Sequence, residues 1–310
     1  MYKGLRVAVV VPAHNESRHV GDVVKAMPGL VDAVTVVDDG SIDDTFGVAR
    51  AAADERTTVV RFEQNRGVGG AIVEGHRLAM EVGADVSVVI AGDGQMDPDY
   101  LPSLLDPIAD SGYEFTKANR FFAIGSFDGM PRMRIVGNIV MSFLTKAASG
   151  YWHLFDPQNG YTAIHRSALE RLPLKRLRER FEFENDLLIH MNIARVRATD
   201  VPIPARYGEE VSDLRLMRDV RRILTLLAVG FWRRIWWKYI VQSFSPVALL
   251  LLFGLALVAA GLAIGAFVVV NSIGPPTAST ATVLMSVAPL LTGIHLLVSA
   301  LLLDIQDSQR

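Results

Sequence analysis

The stretch from Tyr239 to Leu303 contains no Asp, Glu, Lys or Arg, and this constrains the fold more than any other feature. Within it, residues 247–270 and 281–303 are apolar, and each is long enough to cross a hydrocarbon layer of ~30 Å. Residues 271–277 between them are rich in turn-forming Asn, Ser, Gly and Pro. The sequence therefore predicts two transmembrane helices in an antiparallel hairpin, with a buried core hairpin as the alternative.

The segment 214–245 that precedes this hairpin is strongly basic. Between Leu214 and Ile240 there are seven basic residues and one acid, and Arg215, Arg218 and Arg222 recur at helical spacing. Aromatic residues of the kind found at lipid headgroups follow: Trp232, Trp236, Trp237 and Tyr239. These features predict an amphipathic helix lying on anionic lipid, with a solvated helical face as the alternative. The positive-inside rule then places residues 1–213 and the tail 304–310 in the cytoplasm.

Residues 1–213 alternate short β-branched runs with helical patterns, which is typical of an α/β fold with a mostly parallel sheet flanked by helices. The predicted strands are residues 7–11, 34–37, 58–62, 86–90 and 114–119. The predicted helices are residues 17–27, 43–53, 70–82, 98–110 and 133–148.

Acidic side chains follow three of the predicted strands. Asn15-Glu16 follows the first, Asp38-Asp39 the second, and Asp93 the fourth. Ligands of open α/β sheets bind at the carboxyl ends of the strands, so these carboxylates should share one site. Their repetition indicates a ligand with hydroxyl groups, base edges and a divalent cation, such as a nucleotide sugar.

Several other classes of protein are disfavoured. The chain has no cysteine, which excludes disulfide frameworks and thiolate metal sites. The net charge of −2 gives no reason to expect nucleic acid as a partner. The glycine-rich residues 65–71 match neither the phosphate-loop motif nor the dinucleotide fingerprint, so taken alone they are a weak signal of a binding loop, with a tight turn as the alternative.

Four motifs, taken in order, resemble family 2 glycosyltransferases with the GT-A fold: residues 10–16 (VVPAHNE), 36–45 (VVDDGSIDDT), 65–67 (NRG) and 93–98 (DGQMDP). Three further motifs resemble the polyprenyl- and dolichol-phosphate hexosyltransferase subgroup: residues 156–161 (DPQNGY), 181–186 (FEFEND) and 206–214 (RYGEEVSDL). The basic segment and the hairpin fit the same subgroup.

The resemblance implies roles for individual residues in donor binding. The base and ribose would be held by Pro12, His14, Glu16, Val37 and Asp39, with Gly67 also on the nucleotide sugar. Asp93 and Gln95 match the metal-binding motif, whose usual first carboxylate is replaced here by Ala91. Oxygen ligands beside a diphosphate suit Mg²⁺ or Mn²⁺. Asp97 is either a further ligand or a helix cap before Pro98.

Other residues are candidates for the reaction itself. Arg120 and Arg206 would contact phosphate, with surface ion pairs as the alternative, and Arg132, Arg134 and Ser212 would meet the lipid phosphate. Glu184 and Asp186 occupy the place of the base in relatives with hydroxyl acceptors. We expect one of them to orient the sugar or the acceptor. Stabilisation of a helix N-terminus is the alternative role for either residue.

The expected activity is the inverting transfer of one hexose from a UDP- or GDP-sugar to a polyprenyl phosphate at the cytoplasmic membrane face. A transferase acting on a sugar hydroxyl of a lipid-linked or polymeric acceptor is the alternative. Ala91 keeps a third hypothesis open, an inactive scaffold that binds nucleotide sugar. The subgroup resemblance also makes a homo-oligomer plausible.

Overall fold

The computed structural model describes residues 1–120, 132–156, 159–204, 216–271 and 279–308, with the backbone alone at 132–136, 138 and 216–220. These residues form two compact units, Met1–Phe231 and Trp232–Arg310. The sequence prediction separated a basic segment at residues 214–245, whereas the compact units divide within that segment.

A seven-stranded sheet forms the centre of the first unit, in the order β3-β2-β1-β4-β6-β5-β7. All neighbouring strands pair in parallel except β6, which is antiparallel to both β4 and β5. The strands are β1 Val7–Ala13, β2 Ala33–Asp38, β3 Thr57–Arg61, β4 Val86–Val89, β5 Phe115–Asn119, β6 Thr162–His165 and β7 Ala198–Pro202. The predicted mostly parallel α/β sheet is confirmed, although β6 and β7 were not among the predicted strands.

Helices cover both faces of this sheet. In the first unit the α-helices are α1 Val20–Lys25, α2 Thr45–Ala52, α3 Val68–Glu81, α4 Leu101–Ser111, α5 Arg132–Ser149, α6 Arg166–Arg171 and α7 Phe183–Ile193. Helix α8, Leu216–Arg234, continues into a π-helix at Ile235–Val241, and α9 Pro246–Asn271 and α10 Thr280–Asp307 complete the chain.

The β-branched composition of the strands explains why the sheet is central. All seven residues of β1 are buried, as expected for a parallel strand with helices on both faces. Val7, Val9 and Val11 join the core on one face, together with residues of α1 and α4. On the other face α3 packs closely, because a Cβ on Gly75 would lie 2.0 Å from Cγ1 of Val10.

Helix α8 begins as part of the first unit. Its apolar residues Ile223 and Leu227 pack on Ile189 of α7. Gly230 approaches the same side chain so closely that an added Cβ would lie 2.3 Å from Cδ1 of Ile189. Arg221 and Arg222 are exposed. The amphipathic pattern therefore has one face buried against protein, while Arg221 and Arg222 remain accessible and Arg234, at the end of the helix, is buried.

In the second unit, α9 and α10 are long and apolar enough to cross a membrane, as predicted. Glycines bring the two helices together, since a Cβ on Gly293 would lie 2.7 Å from the backbone nitrogen of Val258. Helix α10 runs beyond the predicted end at Leu303, because Asp304 is buried in an ion pair with Arg234 (Oδ1 to Nη1 2.6 Å).

Candidate active site

The loops after β1 and β2 are joined by hydrogen bonds into one structure. Asn15 adopts a left-handed φ of +60°, and its backbone N–H donates to the Ser41 hydroxyl (2.9 Å). Its side-chain oxygen accepts from the backbone N–H of Ile42 (2.9 Å). The backbone N–H of Glu16 donates to the Thr45 hydroxyl (2.8 Å). The two motifs predicted to hold the nucleotide therefore support one another.

Asp39 lies at the centre of this arrangement. Its carboxylate accepts the backbone N–H of Arg66 at Oδ1 (2.7 Å) and that of Gly67 at Oδ2 (2.8 Å). Its carbonyl oxygen accepts from Nδ1 of His14 (2.9 Å), so the proton of that ring lies on Nδ1. Asp39 therefore joins the β2 end to the loop before α3, in addition to its predicted role toward the ribose. Pro12 and Val37 are buried beneath these loops.

Gly67 is required by its conformation and surroundings. Its φ is +104°, and a Cβ would lie 2.5 Å from the carbonyl oxygen of Glu179. Arg66 forms an ion pair with the carboxylate of Glu179, and Gly70 donates its backbone N–H to the Glu179 carbonyl (3.1 Å). The start of α3 is thereby joined to the loop that precedes α7.

The loop after β4 carries the predicted metal ligands. Asp93 accepts the backbone N–H of Gln95 at Oδ1 (2.9 Å), and both side chains are partly exposed. Asp97 caps the following turn, because its Oδ1 accepts the backbone N–H of Asp99 (3.1 Å). Of the two roles considered for Asp97, capping is the one for which the structure shows a hydrogen bond.

The residues present fit a divalent cation bound mainly by its substrate. Within the part of the chain that the structure describes, no three acidic or histidine residues are grouped to hold a metal. Mg²⁺ at phosphate sites needs only one or two carboxylates, because waters and substrate phosphates complete its coordination. Asp93, with Gln95 beside it, would supply the protein's oxygens, and the metal would neutralise charge on a departing diphosphate.

Arg120 directly follows β5 and is held by Asp156. Nε donates to Oδ2 (2.7 Å) and Nη2 to Oδ1 (2.9 Å), a bidentate pair in which Asp156 is buried. Asp156 itself adopts a φ of +50°, a conformation that constrains its backbone beside the guanidinium. Arg120 is a third exposed and remains available to a phosphate as well as to its partner.

Lys117 is a site residue that sequence reasoning missed. It lies in the middle of β5, is 1% exposed, and donates from Nζ to the carbonyl oxygen of Asn159. Burial lowers its pKa, while the nearby carboxylates of Asp156, Glu184 and Asp200 oppose that effect. Its sequence context, between Thr116 and Ala118 in a strand with polar residues, gave no sign that it would be buried.

The two predicted base candidates on α7 differ. Asp186 is buried and engaged, with Oδ2 accepting the backbone N–H of Arg178 (3.0 Å) and Oδ1 lying 3.3 Å from Nδ1 of His190. Glu184 is partly exposed and lines a small cavity with Lys117. Burial raises the pKa of Glu184, and the charge of Lys117 opposes this. Glu184 is therefore the better placed of the two to meet a substrate.

Comparison with known proteins identifies the family of this chain. Residues 8–173 match the family described as Glycosyl transferase family 2. The chain belongs to this family. Over 218 residues the glycosyltransferase is 31% identical to the UDP-N-acetylglucosamine–dolichyl-phosphate N-acetylglucosaminyltransferase of Methanococcus voltae, covering 66% of this chain and 86% of that protein. The undecaprenyl-phosphate mannosyltransferase of Micrococcus luteus is 28% identical over 206 residues, covering 64% and 83% of the two chains.

A solved structure shares the fold of this glycosyltransferase. It is the glucosyl-3-phosphoglycerate synthase of Mycobacterium tuberculosis in complex with Mn²⁺, UDP-glucose and phosphoglyceric acid. The TM-score is 0.56 at 22% identity, and the match covers 74% of this chain and 80% of that one. The GT-A expectation is thereby confirmed at the level of fold.

Some predicted site residues lie outside the described part of the glycosyltransferase. Arg206 and Ser212 fall in residues 205–215, and Arg132 and Arg134 lie on α5 where the backbone alone is described. Their roles toward phosphate stay predictions. Since β7 is parallel to β5, its end at Pro202 brings the chain toward the same sheet edge as Arg120 before residue 206.

Proposed function

We propose that this glycosyltransferase transfers a hexose, with inversion, from a UDP- or GDP-sugar to a polyprenyl phosphate at the cytoplasmic face of a membrane. The observation that carries the proposal is the 31% identity to an enzyme named for a dolichyl-phosphate acceptor, in a chain that also has two apolar helices of membrane-spanning length.

The geometry of the sheet edge supports donor binding there. The joined loops around Asp39 would hold the base and ribose, and the Asp93 loop would meet the diphosphate through Mg²⁺ or Mn²⁺. Cleavage of the anomeric C–O bond develops positive charge on the sugar and negative charge on the departing diphosphate. Arg120, kept in place by Asp156, would stabilise that negative charge.

The hydrogen bonding of Asp186 on α7 supports a phosphate acceptor. A phosphate monoester has its second pKa near ~6, so it is already anionic at neutral pH and needs no base. Asp186 is engaged in hydrogen bonds within the protein, which suits this chemistry. The alternative, a hydroxyl acceptor, is favoured by Glu184, because a carboxylate with a raised pKa and access to the site is suited to act as a base.

The two classes of acceptor give products that differ in whether mild acid cleaves them. Membranes containing the glycosyltransferase would be incubated with labelled UDP-glucose, UDP-N-acetylglucosamine or GDP-mannose and with undecaprenyl or dolichyl phosphate. We expect a labelled lipid that mild acid cleaves, as a phosphate-linked sugar should be. An acid-stable product formed only with a lipid-linked sugar would instead support the hydroxyl acceptor. Asp93→Ala is the matched inactive control.

The exposed side of α8 supports a position at the membrane surface. Arg221 and Arg222 are exposed while Ile223 and Leu227 face protein, so the basic residues are available to anionic lipid. Each contributes ~1 kcal/mol near such a surface. Replacing both with Gln should raise the KM for polyprenyl phosphate in anionic vesicles and leave the KM for the donor unchanged. Neutral vesicles, in which the two proteins should behave alike, are the control.

A further inference from the structure

A small cavity lies between the sheet and helices α3 and α7, and Lys117 and Glu184 both line it. Its lining is mainly apolar, with Ile72, Phe115 and Leu187 among the contributors, and includes Lys117 and Glu184. The ammonium of Lys117 donates its hydrogen bond to the Asn159 carbonyl, and Glu184 influences Lys117 through its charge. The charges therefore act through the cavity and not through a direct hydrogen bond.

Lys117 also controls the turn that precedes β6. Its ammonium donates to the carbonyl oxygen of Asn159, whose backbone N–H in turn donates to the carbonyl of Asp156 (3.1 Å). Asp156 is the residue that holds Arg120. A chain of contacts thus leads from the buried ammonium to the guanidinium at the sheet edge.

Other charges around the cavity are few and can be named. His76 on α3 also lines it, and burial lowers the pKa of His76 to about 4, so this ring is neutral near pH 7. Asp156 and Asp200 act on Lys117 with the same sign as Glu184, and Arg120 acts with the opposite sign. Among the described residues, Lys117 is the positive charge that acts on Glu184.

We propose that Lys117 is a positioning residue of this active site, which favours ionisation of the Glu184 carboxylate from across the shared cavity and holds the carbonyl group of Asn159, next to the Asp156 that binds Arg120. The inference deepens the proposed function, on which its kinetic test rests. Its stability test needs no substrate.

The stability test uses the full chain in detergent, and melting is measured from about pH 5.5 to about pH 8, where an isolated carboxyl group would be ionised. In Lys117→Met, Glu184 must ionise in an apolar cavity without its counter-charge. The loss of Tm relative to wild type should therefore grow as the pH rises. Adding Glu184→Gln to Lys117→Met should restore most of that loss at high pH.

Asp200→Asn in the Lys117→Met background is the matched control, and it is compared with Asp200→Asn alone because Asp200 also interacts with Lys117 and has a pKa raised to about 6. Asp200 pairs with Lys117 in the β5–β7 register, but it is not among the residues that line the cavity. A recovery with Asp200→Asn as large as that with Glu184→Gln would overturn the proposal. If Lys117→Met alone does not fold, recovery of folded protein by Glu184→Gln and not by Asp200→Asn supports the same conclusion, and no recovery by Glu184→Gln contradicts it.

The kinetic test measures the pH dependence of kcat for transfer. Loss of the ammonium should move the acid limb that belongs to Glu184 upward by about one pH unit, the lower end of the effect of a nearby opposite charge. Lys117→Met should cause no such shift in a Glu184→Gln background. If kcat instead fell equally at every pH and its acid limb did not move, Lys117 would have only a structural role. Absence of transfer to polyprenyl phosphate by wild type would count against the proposed function alone, since the melting result would stand.

Discussion

Replacing Asp39 with Asn should cost this protein both stability and donor binding. Asp39 is 3% exposed, and each of its carboxylate oxygens accepts one backbone N–H, from Arg66 (2.7 Å) and from Gly67 (2.8 Å). An Asn side chain of the same size offers one acceptor oxygen and turns an NH₂ group toward the second N–H. One of the two hydrogen bonds between Asp39 and the loop is then lost, and two N–H donors face each other in its place.

The magnitude follows from these contacts. A hydrogen bond to a charged group contributes about 1.5–3 kcal/mol, and a buried donor left without a partner costs about 1–3 kcal/mol. Because Asp39 is buried, solvent screening does not reduce these values much, and Asp39→Asn should lower the free energy of unfolding by about 3–5 kcal/mol. For a unit of this size, that corresponds to a fall in Tm of roughly 10 °C.

Asp93→Asn is the matched control for this experiment. Asp93 is partly exposed, and the hydrogen bond it accepts, from the backbone of Gln95, can also be accepted by an Asn side chain. Its stability should change by less than about 0.5 kcal/mol, while turnover falls because a proposed metal ligand is lost. The assays are melting of the full chain in detergent and titration with nucleotide sugar.

Equal melting temperatures for Asp39→Asn and wild type would refute this reasoning. They would mean that the loop before α3 does not depend on Asp39. Normal melting with lost donor binding would instead assign the carboxylate wholly to the nucleotide.

Three further predictions concern other parts of the chain. Gly67→Ala should lower the free energy of unfolding by at least about 2 kcal/mol, because Ala disfavours this φ and its Cβ would meet the Glu179 carbonyl; melting measures this. Asp304→Asn should cost about 3–5 kcal/mol by removing the carboxylate charge that pairs with buried Arg234, and Arg234→Met with Asp304→Leu should recover most of it in the same assay. Burial raises the pKa of Asp200 to about 6, so the folded protein favours the protonated form of this side chain. The free energy of unfolding should therefore fall as the pH rises from about 4 through about 6. Asp200→Asn should remove this pH dependence, as measured by unfolding in urea.

The sheet and the membrane helices were predictable because they depend on local patterns. Runs of β-branched residues identified β1 to β4, and the absence of charge identified α9 and α10; β5 was also predicted, although Thr116 is its only β-branched residue. The short strands β6 and β7 were missed, because Thr162–His165 and Ala198–Pro202 contain polar residues or proline. Their pairing with β5, and not their own composition, makes them strands.

The sequence predicted which loops form the site, but it did not predict the contacts that their side chains make. Motif order placed Asp39, Asp93 and Arg120 at one edge of the sheet, and the parallel topology explains why they share it. The sequence contains no sign that both oxygens of Asp39 would be bound by backbone N–H groups. Nor does it show that Asp186 would be engaged while Glu184 lines a cavity, since two residues on one helix differ in direction by about 200°.

Buried charge is where local patterns are least informative, and this chain has two examples. Lys117 and Arg234 are almost completely buried, yet each occurs in a sequence context that alone predicts a surface residue. Lys117 depends on Asn159, 42 residues later, and Arg234 depends on Asp304, 70 residues later. Burying a charge costs several kcal/mol unless such a partner is in place, so each position is stable only after the distant element has folded. Substitutions at either partner should therefore affect the whole unit that contains it, whereas the exposed ion pair of Arg77 with Glu81 should be replaceable with little effect.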